Sequence, residues 1–480
     1  MSKVYSFVFL FLITSVTIQA QNKSSVVIKM EPDKDFIYWF SGLDFLSDYE
    51  HGFARSEQAK VDNMGIYVKE FSVDKPVVLN LGQVNSTIMT VLPIYLTQGS
   101  RDTVTIHNGL IKFKGTNADY NRCLQDTEHF LDYCSQLLIH RPSQELLFTT
   151  KSFPEFIKVL NVRKAEAEKK VKRYSGLNAA FIDEQLAHID LGSRMAFIYK
   201  VLFNVPDSLQ NDEWKKASKE IVDKPVETPY FPSFREGYFL LSGLLTLDRK
   251  VEKGSIEGKN VSLENFERLS KFMEGKNLEC AWATLINDDI TSKAYDPMVP
   301  EMYEMLKERF PGNIYQSFLE AGIAENYRFN VISETDESNK DYQVISEDFF
   351  FSSLTDVVKL FKGKVVYVDL WATWCGACLN EFSFLPRVQD SVKELDVVFL
   401  YVSMDKPENK TRWEKSFRHY KLKGYHLLAT PALTESIHRE FGNYIPHAII
   451  FDKDGNIIER NAPGLKQSKE LQEKLIQWNE

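Results

Sequence analysis

The chain has 480 residues, more than one hydrophobic core accommodates, since single cores stop growing near ~250–300 residues, so two or three domains are expected. Hydrophobic residues at 44% and charged residues at 26% exclude a collagen-like, wholly disordered or polytopic membrane chain. With 58 basic against 67 acidic residues the net charge is −9, so no global positive field exists to hold a nucleic-acid backbone, and nucleic acid is not an expected partner.

Residues 1–20 carry one charge, Lys3, followed by the apolar run Phe7 to Ile13 and then Ile18-Gln19-Ala20. This pattern predicts a secretory signal peptide cleaved after Ala20. A membrane span needs ~17–25 apolar residues, and Thr14 and Ser15 interrupt this run after seven. The protein is therefore expected to be exported, to the periplasm or cell envelope, where disulfides persist.

Residues 21–116 read as a β-rich, sandwich-like domain. Short β-branched or aromatic runs (Val26 to Ile28, Phe36 to Phe40, Gly65 to Val68, Val77 to Leu81, Ile88 to Leu92, Thr103 to Ile106 and Ile111 to Phe113) alternate with Gly, Asn and Asp. His51 and His107 stand alone there and suggest no site. Over 117–333 the apolar period becomes helical, as in Leu124, Phe130, Leu131, Cys134, Leu137 and Leu138, which predicts an all-α middle region. Its charge run from Arg163 to Arg173 mixes both signs among helix formers and reads as a solvated helix face. Residues 334–342 are polar, without apolar periodicity, and read as a linker into a last domain, 343–480.

Five cysteines are too few for a disulfide-stapled scaffold, and the odd number leaves at least one thiol unpaired within a monomer. Cys123 and Cys134 lie eleven apart in one helical pattern, about 16 Å at ~1.5 Å per residue. Disulfide Cα atoms must approach within about 7 Å, so these two are expected not to pair. They and Cys280 read as buried apolar residues.

Cys375 and Cys378 differ. They follow the buried-strand run Val365 to Trp371 at once and open a helical segment. The first cysteine then sits at a helix N-terminus, where unpaired N–H groups and the positive dipole end favour a thiolate. The second returns to the same side one turn later, close enough for a small disulfide. Gly376 and Ala377 keep the loop compact for an approaching backbone. A zinc site would need four ligands, and the chain has no second Cys-x-x-Cys and no paired His motif, so no metal is expected. Peroxidases on related folds need Thr or Ser three residues before the reactive cysteine, where Ala372 stands.

The segment Trp371-Ala372-Thr373-Trp374-Cys375-Gly376-Ala377-Cys378, with Glu381, closely resembles the active-site segment of thioredoxin-like proteins, and most of all the secreted TlpA-type thiol-disulfide oxidoreductases. Asp369 matches the family's buried acid, which handles the proton of the second cysteine. Ile445-Pro446 matches its cis-proline, beside the disulfide. Phe451 to Ile458 matches its terminal hairpin, turning at Asp454-Gly455-Asn456. The stretch from Pro407 to Gly442 has room for the helix, strand and further helix that this branch carries and thioredoxin lacks. Three positions depart from the pattern: Gly-Ala replaces Gly-Pro between the cysteines, Ser383 replaces the helix-kinking proline with Pro386 three residues on, and His447, read here as an exposed side chain, replaces a small polar residue.

The resemblance implies a multidomain protein whose C-terminal α/β thioredoxin fold follows the β-sandwich-like and all-α regions. It implies a thiol-disulfide oxidoreductase of the cell envelope, working as a reductase through Cys375 as nucleophile, Cys378 as resolving cysteine and Asp369 as base. Trp374, Ile445 and Pro446 would bind the client strand. No cofactor is implied; the partners would be disulfide- or thiol-containing proteins and an upstream electron donor such as a membrane thiol reductase. A redox-inert binding scaffold and a thiol peroxidase stand as alternatives.

Overall fold

The computed structural model describes residues 23–32, 34–40, 57–73, 75–83, 91–135, 152–234, 236–253, 262–332, 341–346 and 349–479. The expected signal peptide, His51 and most of the expected linker lie outside them. The chain divides into two compact units, Met1–Asp288 with Glu301–Leu319, and Asp289–Pro300 with Glu320–Glu480.

The first unit opens with strands β1 (Lys23–Lys29), β2 (Asp35–Phe40), β3 (Glu57–Lys60), β4 (Ile66–Ser72), β5 (Val77–Gln83), β6 (Val91–Leu96), β7 (Arg101–His107) and β8 (Leu110–Gly115). They form two four-stranded sheets, ordered β4-β1-β7-β8 and β3-β2-β5-β6. Burial alternates along β1 and β7, as the two-residue side-chain period of a half-buried strand requires. Val26, Ile28, Val104 and Phe113 of one sheet share a core with Phe36, Tyr38, Leu79, Leu81 and Ile94 of the other. Edge-to-face rings close it, Phe36 on Tyr67 at 5.2 Å and Tyr38 on Phe71 at 5.9 Å. This is the expected sandwich.

Helices follow: α1 (Ala118–Ser135), α2 (Phe153–Lys172), α3 (Ala179–Tyr199), α4 (Asp212–Asp223), α5 (Gly237–Lys253), α6 (Ser262–Arg268), α7 (Gly275–Ser292), α8 (Val299–Arg309) and α9 (Gln316–Asn330). Cys123 and Cys134 both lie on the continuous α1, and like Cys280 they are buried and outside any disulfide. Gly192 of α3 lets α1 approach closely: a Cβ there would meet Leu131 Cδ2 at 2.5 Å. The charged side chains of the run on α2 pair partly within the helix, Arg163 near Glu166 and Lys172 near Glu168, and partly across it, Lys164 with Asp190 and Lys170 and Arg173 with Asp126.

The second unit is built on the sheet β14-β13-β10-β11-β12-β9. Its strands are β9 (Tyr342–Val344), β10 (Val365–Trp371), β11 (Val397–Ser403), β12 (Gly424–Leu428), β13 (His447–Phe451) and β14 (Ile457–Ala462). Its helices are α10 (Leu354–Val358), α11 (Gly376–Glu381), α12 (Leu385–Val392), α13 (Lys410–His419), α14 (Pro431–Phe441) and α15 (Ser468–Asn479). Central β10 runs parallel to β11 and antiparallel to β13, and all seven of its residues are buried. A strand covered on both faces needs such a continuous apolar run. Val366, Val368 and Leu370 enter one core with Leu433 and Ile437 of α14. Val365, Tyr367 and Trp371 enter the other with Cys375, Cys378, Phe382 and Trp413. Strand alternation puts Asp369 on the face of this second set.

The helix after the cysteines is interrupted at Phe382–Phe384, a single 3₁₀ turn, before α12 resumes with Pro386 in its first turn. Pro386 has no N–H for the Phe382 carbonyl, so the α-helical ladder stops there and not at Ser383. The Ser383 hydroxyl donates back to the Asn380 carbonyl at 2.9 Å. The insertion is present as a short 3₁₀ turn at Pro407–Asn409, α13, β12 and α14, which ends at Gly442.

Candidate active site

The last residue of β10 is Trp371, and the chain leaves the sheet through Ala372-Thr373-Trp374 before Cys375 caps α11. Two backbone bonds fold this corner, Cys375 N–H to the Ala372 carbonyl at 3.0 Å and Leu379 N–H to the Cys375 carbonyl at 3.1 Å. The two sulfurs are bonded at 2.01 Å with Cα atoms 5.3 Å apart. The Cys378 N–H points at Cys375 Sγ, 3.2 Å away, so a Cys375 thiolate would accept a charge-assisted hydrogen bond there. Cys375 is 7% exposed and Cys378 1%, which leaves the first sulfur as the one an incoming group reaches. A Cβ on Gly376 would meet nothing within 4 Å; glycine there leaves the outer approach open and relieves no internal clash.

Asp369 lies between Ala448 of β13 and Tyr401 of β11 and is buried. Burial, and behind it the charge of Glu381, push its carboxyl up to about 7, because both disfavour a second negative charge in a low-dielectric core. The Glu381 carboxylate in turn rests against Gly464, where a Cβ would come within 2.6 Å of Oε2.

The antiparallel pairing of Leu370 with His447 brings the Ile445-Pro446 step to the end of β10 from which the cysteine loop departs. That peptide bond is cis, and Ile445 packs against the core holding both cysteines. Trp374 and Tyr444 stand out into solvent at 62% and 54% exposure. His447 corrects the expectation of an exposed side chain. It is buried, stacks on Tyr444 with ring centroids 4.6 Å apart, and holds the Arg460 carbonyl through Nε2 at 2.9 Å. As the first residue of β13 its side chain alternates into the fold, which a position next to proline did not reveal.

Two further residues hold the cysteine loop. Asp405 accepts from both the Thr373 N–H and the Thr373 hydroxyl, each at 2.8 Å, and from the Ser403 hydroxyl at 2.8 Å. Arg412 Nη2 donates to the Thr373 carbonyl at 3.2 Å. The polar groups of Thr373, two residues before Cys375, are all engaged.

Residues 352–475 match the family model described as Redoxin. The thiol-disulfide oxidoreductase ResA of a Bacillus cereus strain is 27% identical over 124 residues, 25% of this chain and 66% of the relative. The chain thus spans just under two thirds of that relative's length. A thioredoxin of Coprinus comatus is 32% identical over 84 residues, 16% of this chain and 74% of the relative. Among solved structures, the thioredoxin domain of a thiol-disulfide oxidoreductase from Bacteroides vulgatus is 23% identical, over 26% of this chain and 84% of that one, with a TM-score of 0.23. The Redoxin match takes in β10, both paired cysteines and β13, and through it and these relatives the chain belongs to the thioredoxin-like thiol-disulfide oxidoreductase family.

Proposed function

We propose that the protein reduces disulfides of exported protein clients by dithiol–disulfide exchange in the cell envelope, as a TlpA-type enzyme. In the reduced state the Cys375 thiolate attacks one client sulfur; the client disulfide breaks, a Cys375–client bond forms, and the other client sulfur leaves as a thiolate. The Cys378 thiol then gives its proton to the Asp369 carboxylate and attacks Cys375 Sγ, releasing the second client sulfur. Two electrons pass to the client, and the Cys375–Cys378 dithiol becomes a disulfide. An upstream dithiol donor, such as a membrane thiol reductase, must return those electrons.

The observation that carries this proposal is the graded pair itself, a more open Cys375 and a sealed Cys378, with a buried carboxyl raised to about 7 on the same sheet face. A base of that strength exchanges protons near neutral pH. Trp374 would cover the disulfide from the solvent side, and Ile445 and Pro446 would pair with an extended client strand. Export is supported by the apolar run Phe7 to Ile13. Among the described residues no helix is long and apolar enough to cross a membrane. Direction is a matter of potential, since reductants and oxidants on this scaffold differ by ~150 mV.

The Cys378→Ala variant tests the exchange step. Expressed in an exporting host, it is expected to accumulate mixed disulfides, visible as reductant-sensitive bands on non-reducing gels. An absence of such bands while Cys375 remains open to alkylation would sink the exchange mechanism.

A further inference from the structure

Within the unit that holds the redox pair, 289–300 and the end of α9 from Glu320 form a polar hub against α13. Glu325 is its centre. One carboxylate oxygen accepts from Tyr295 OH at 2.8 Å and Lys293 Nζ at 3.1 Å, and faces His419 Nε2 at 3.4 Å. Tyr295 OH also meets Tyr420 OH at 2.6 Å, and the Tyr295 ring stacks on Phe329 at 4.0 Å. Asn326 spans the Asp289 carboxylate and the Asp296 carbonyl, and Asn330 holds the Tyr295 carbonyl, all at 3.1 Å.

These bonds hold a backbone that would not adopt its shape unaided. Lys293 and Tyr295 have φ of 53° and 54°, the left-handed region that costs a bulky residue on the order of 1–2 kcal/mol. Such a conformation persists only where its surroundings over-determine it, and it then marks a position whose geometry matters. The use of this geometry is visible in Arg412. Its Nη2 donates to the Lys293 carbonyl at 3.0 Å and to the Thr373 carbonyl at 3.2 Å. One guanidinium nitrogen thus ties the strained turn to the loop that presents Cys375. A second tie reaches the far end of the active-site helix, where Tyr420 packs on Phe382 at 5.5 Å.

We propose that Arg412 is a positioning residue for Cys375, and that 289–300, seated on Glu325, is a working part of the redox centre that sets the reactivity of that thiolate. The inference rests on the reading of Cys375 as nucleophile. Thr373 is then clamped from two sides, Asp405 on its N–H and hydroxyl and Arg412 on its carbonyl. Loosening the carbonyl side lets the 372–374 corner turn, and Cys375 Sγ moves relative to the Cys378 N–H.

The test uses the full chain carrying Cys378→Ala and measures the rate of Cys375 alkylation by iodoacetamide from pH 5 to 9, alone and with Arg412→Ala, Arg412→Lys or Tyr295→Phe. The Cys375–Cys378 potential against glutathione is measured in chains that keep both cysteines. Arg412→Ala is expected to change the alkylation rate about tenfold, since ångström-scale misplacement at a reacting atom costs that much or more. Arg412→Lys, which keeps the charge and a donor, should recover part of it, and Tyr295→Phe, distant in sequence and unable to touch Cys375, should shift the profile in the same direction. Superimposable alkylation profiles and equal potentials in all variants that keep the native circular dichroism would overturn the proposal; should Arg412→Ala not fold, the comparison of Arg412→Lys and Tyr295→Phe with the parent decides it. The exchange reading is scored separately, by reduction of insulin disulfides in the unmutated chain. Inactivity there with a shifted alkylation profile removes that reading and leaves the positioning role standing.

Discussion

At the scale of single residues, Asp369 makes the sharpest demand. Its folded-state carboxyl titrates near 7, against 3.8 for an ordinary aspartate. Between those values the folded protein holds a proton that the unfolded chain has released, so stability is full below about pH 4 and falls as pH rises toward 7. Asp369→Asn, of nearly equal volume and never charged, removes this dependence. Above pH 7 it should be the more stable form, by a figure on the order of 4 kcal/mol, with little difference near pH 4; urea unfolding at pH 4 and 8 measures both. An equal difference at the two pH values would mean that the carboxyl is not raised. Asp369, Cys375 and Cys378 were legible because ten residues of chain carry them and their pattern is local. Asp405 and Arg412 were not, for they grip Thr373 from 32 and 39 positions away, and neither has neighbours that distinguish it from an ordinary surface charge.

At the scale of elements, legibility followed periodicity. Strands with alternating apolar residues, such as β1, and the wholly apolar β10 stood out in the chain. Glu57–Lys60, a polar strand at the edge of its sheet, did not, because an edge next to solvent needs no apolar face. The break before α12 was ambiguous for a different reason: the proline that stops a helical ladder acts on a carbonyl four residues earlier, so Pro386 and not Ser383 decided it. The start of β12, which lies between β11 and β9, offers a direct test of how tightly these strands are specified. Gly424 has φ of +140°, and a Cβ there would lie 2.5 Å from the Phe399 carbonyl oxygen. Gly424→Ala must therefore bend backbone between β11 and β12, and is expected to cost ~2–4 kcal/mol in urea unfolding. A loss below ~0.5 kcal/mol would show that this corner yields freely.

At the scale of the molecule, composition and period distinguished β-rich, helical and α/β stretches, but the unit that carries the redox pair is not one continuous stretch. It takes in 289–300 and the chain from 320 onward, and no composition shift announces a short segment drawn from a helical region. The three remaining cysteines acquire a meaning at this scale. Cys123, Cys134 and Cys280 are sealed inside helices, and burial pushes the Cys123 thiol up to about 12 and the Cys134 thiol well above its ordinary value. Thiols held neutral and out of reach do not enter exchange. After reduction, the folded chain should therefore count at most two thiols toward a thiol-reactive dye, Cys375 ahead of the more buried Cys378, and, once unfolded in guanidinium, all five; a native count above two would mean that one of the three is accessible. Under the proposed exchange in an oxidising compartment, this seclusion would keep the electron ledger of the protein to one pair, so that each turnover would move two electrons and no stray sulfur would capture the client.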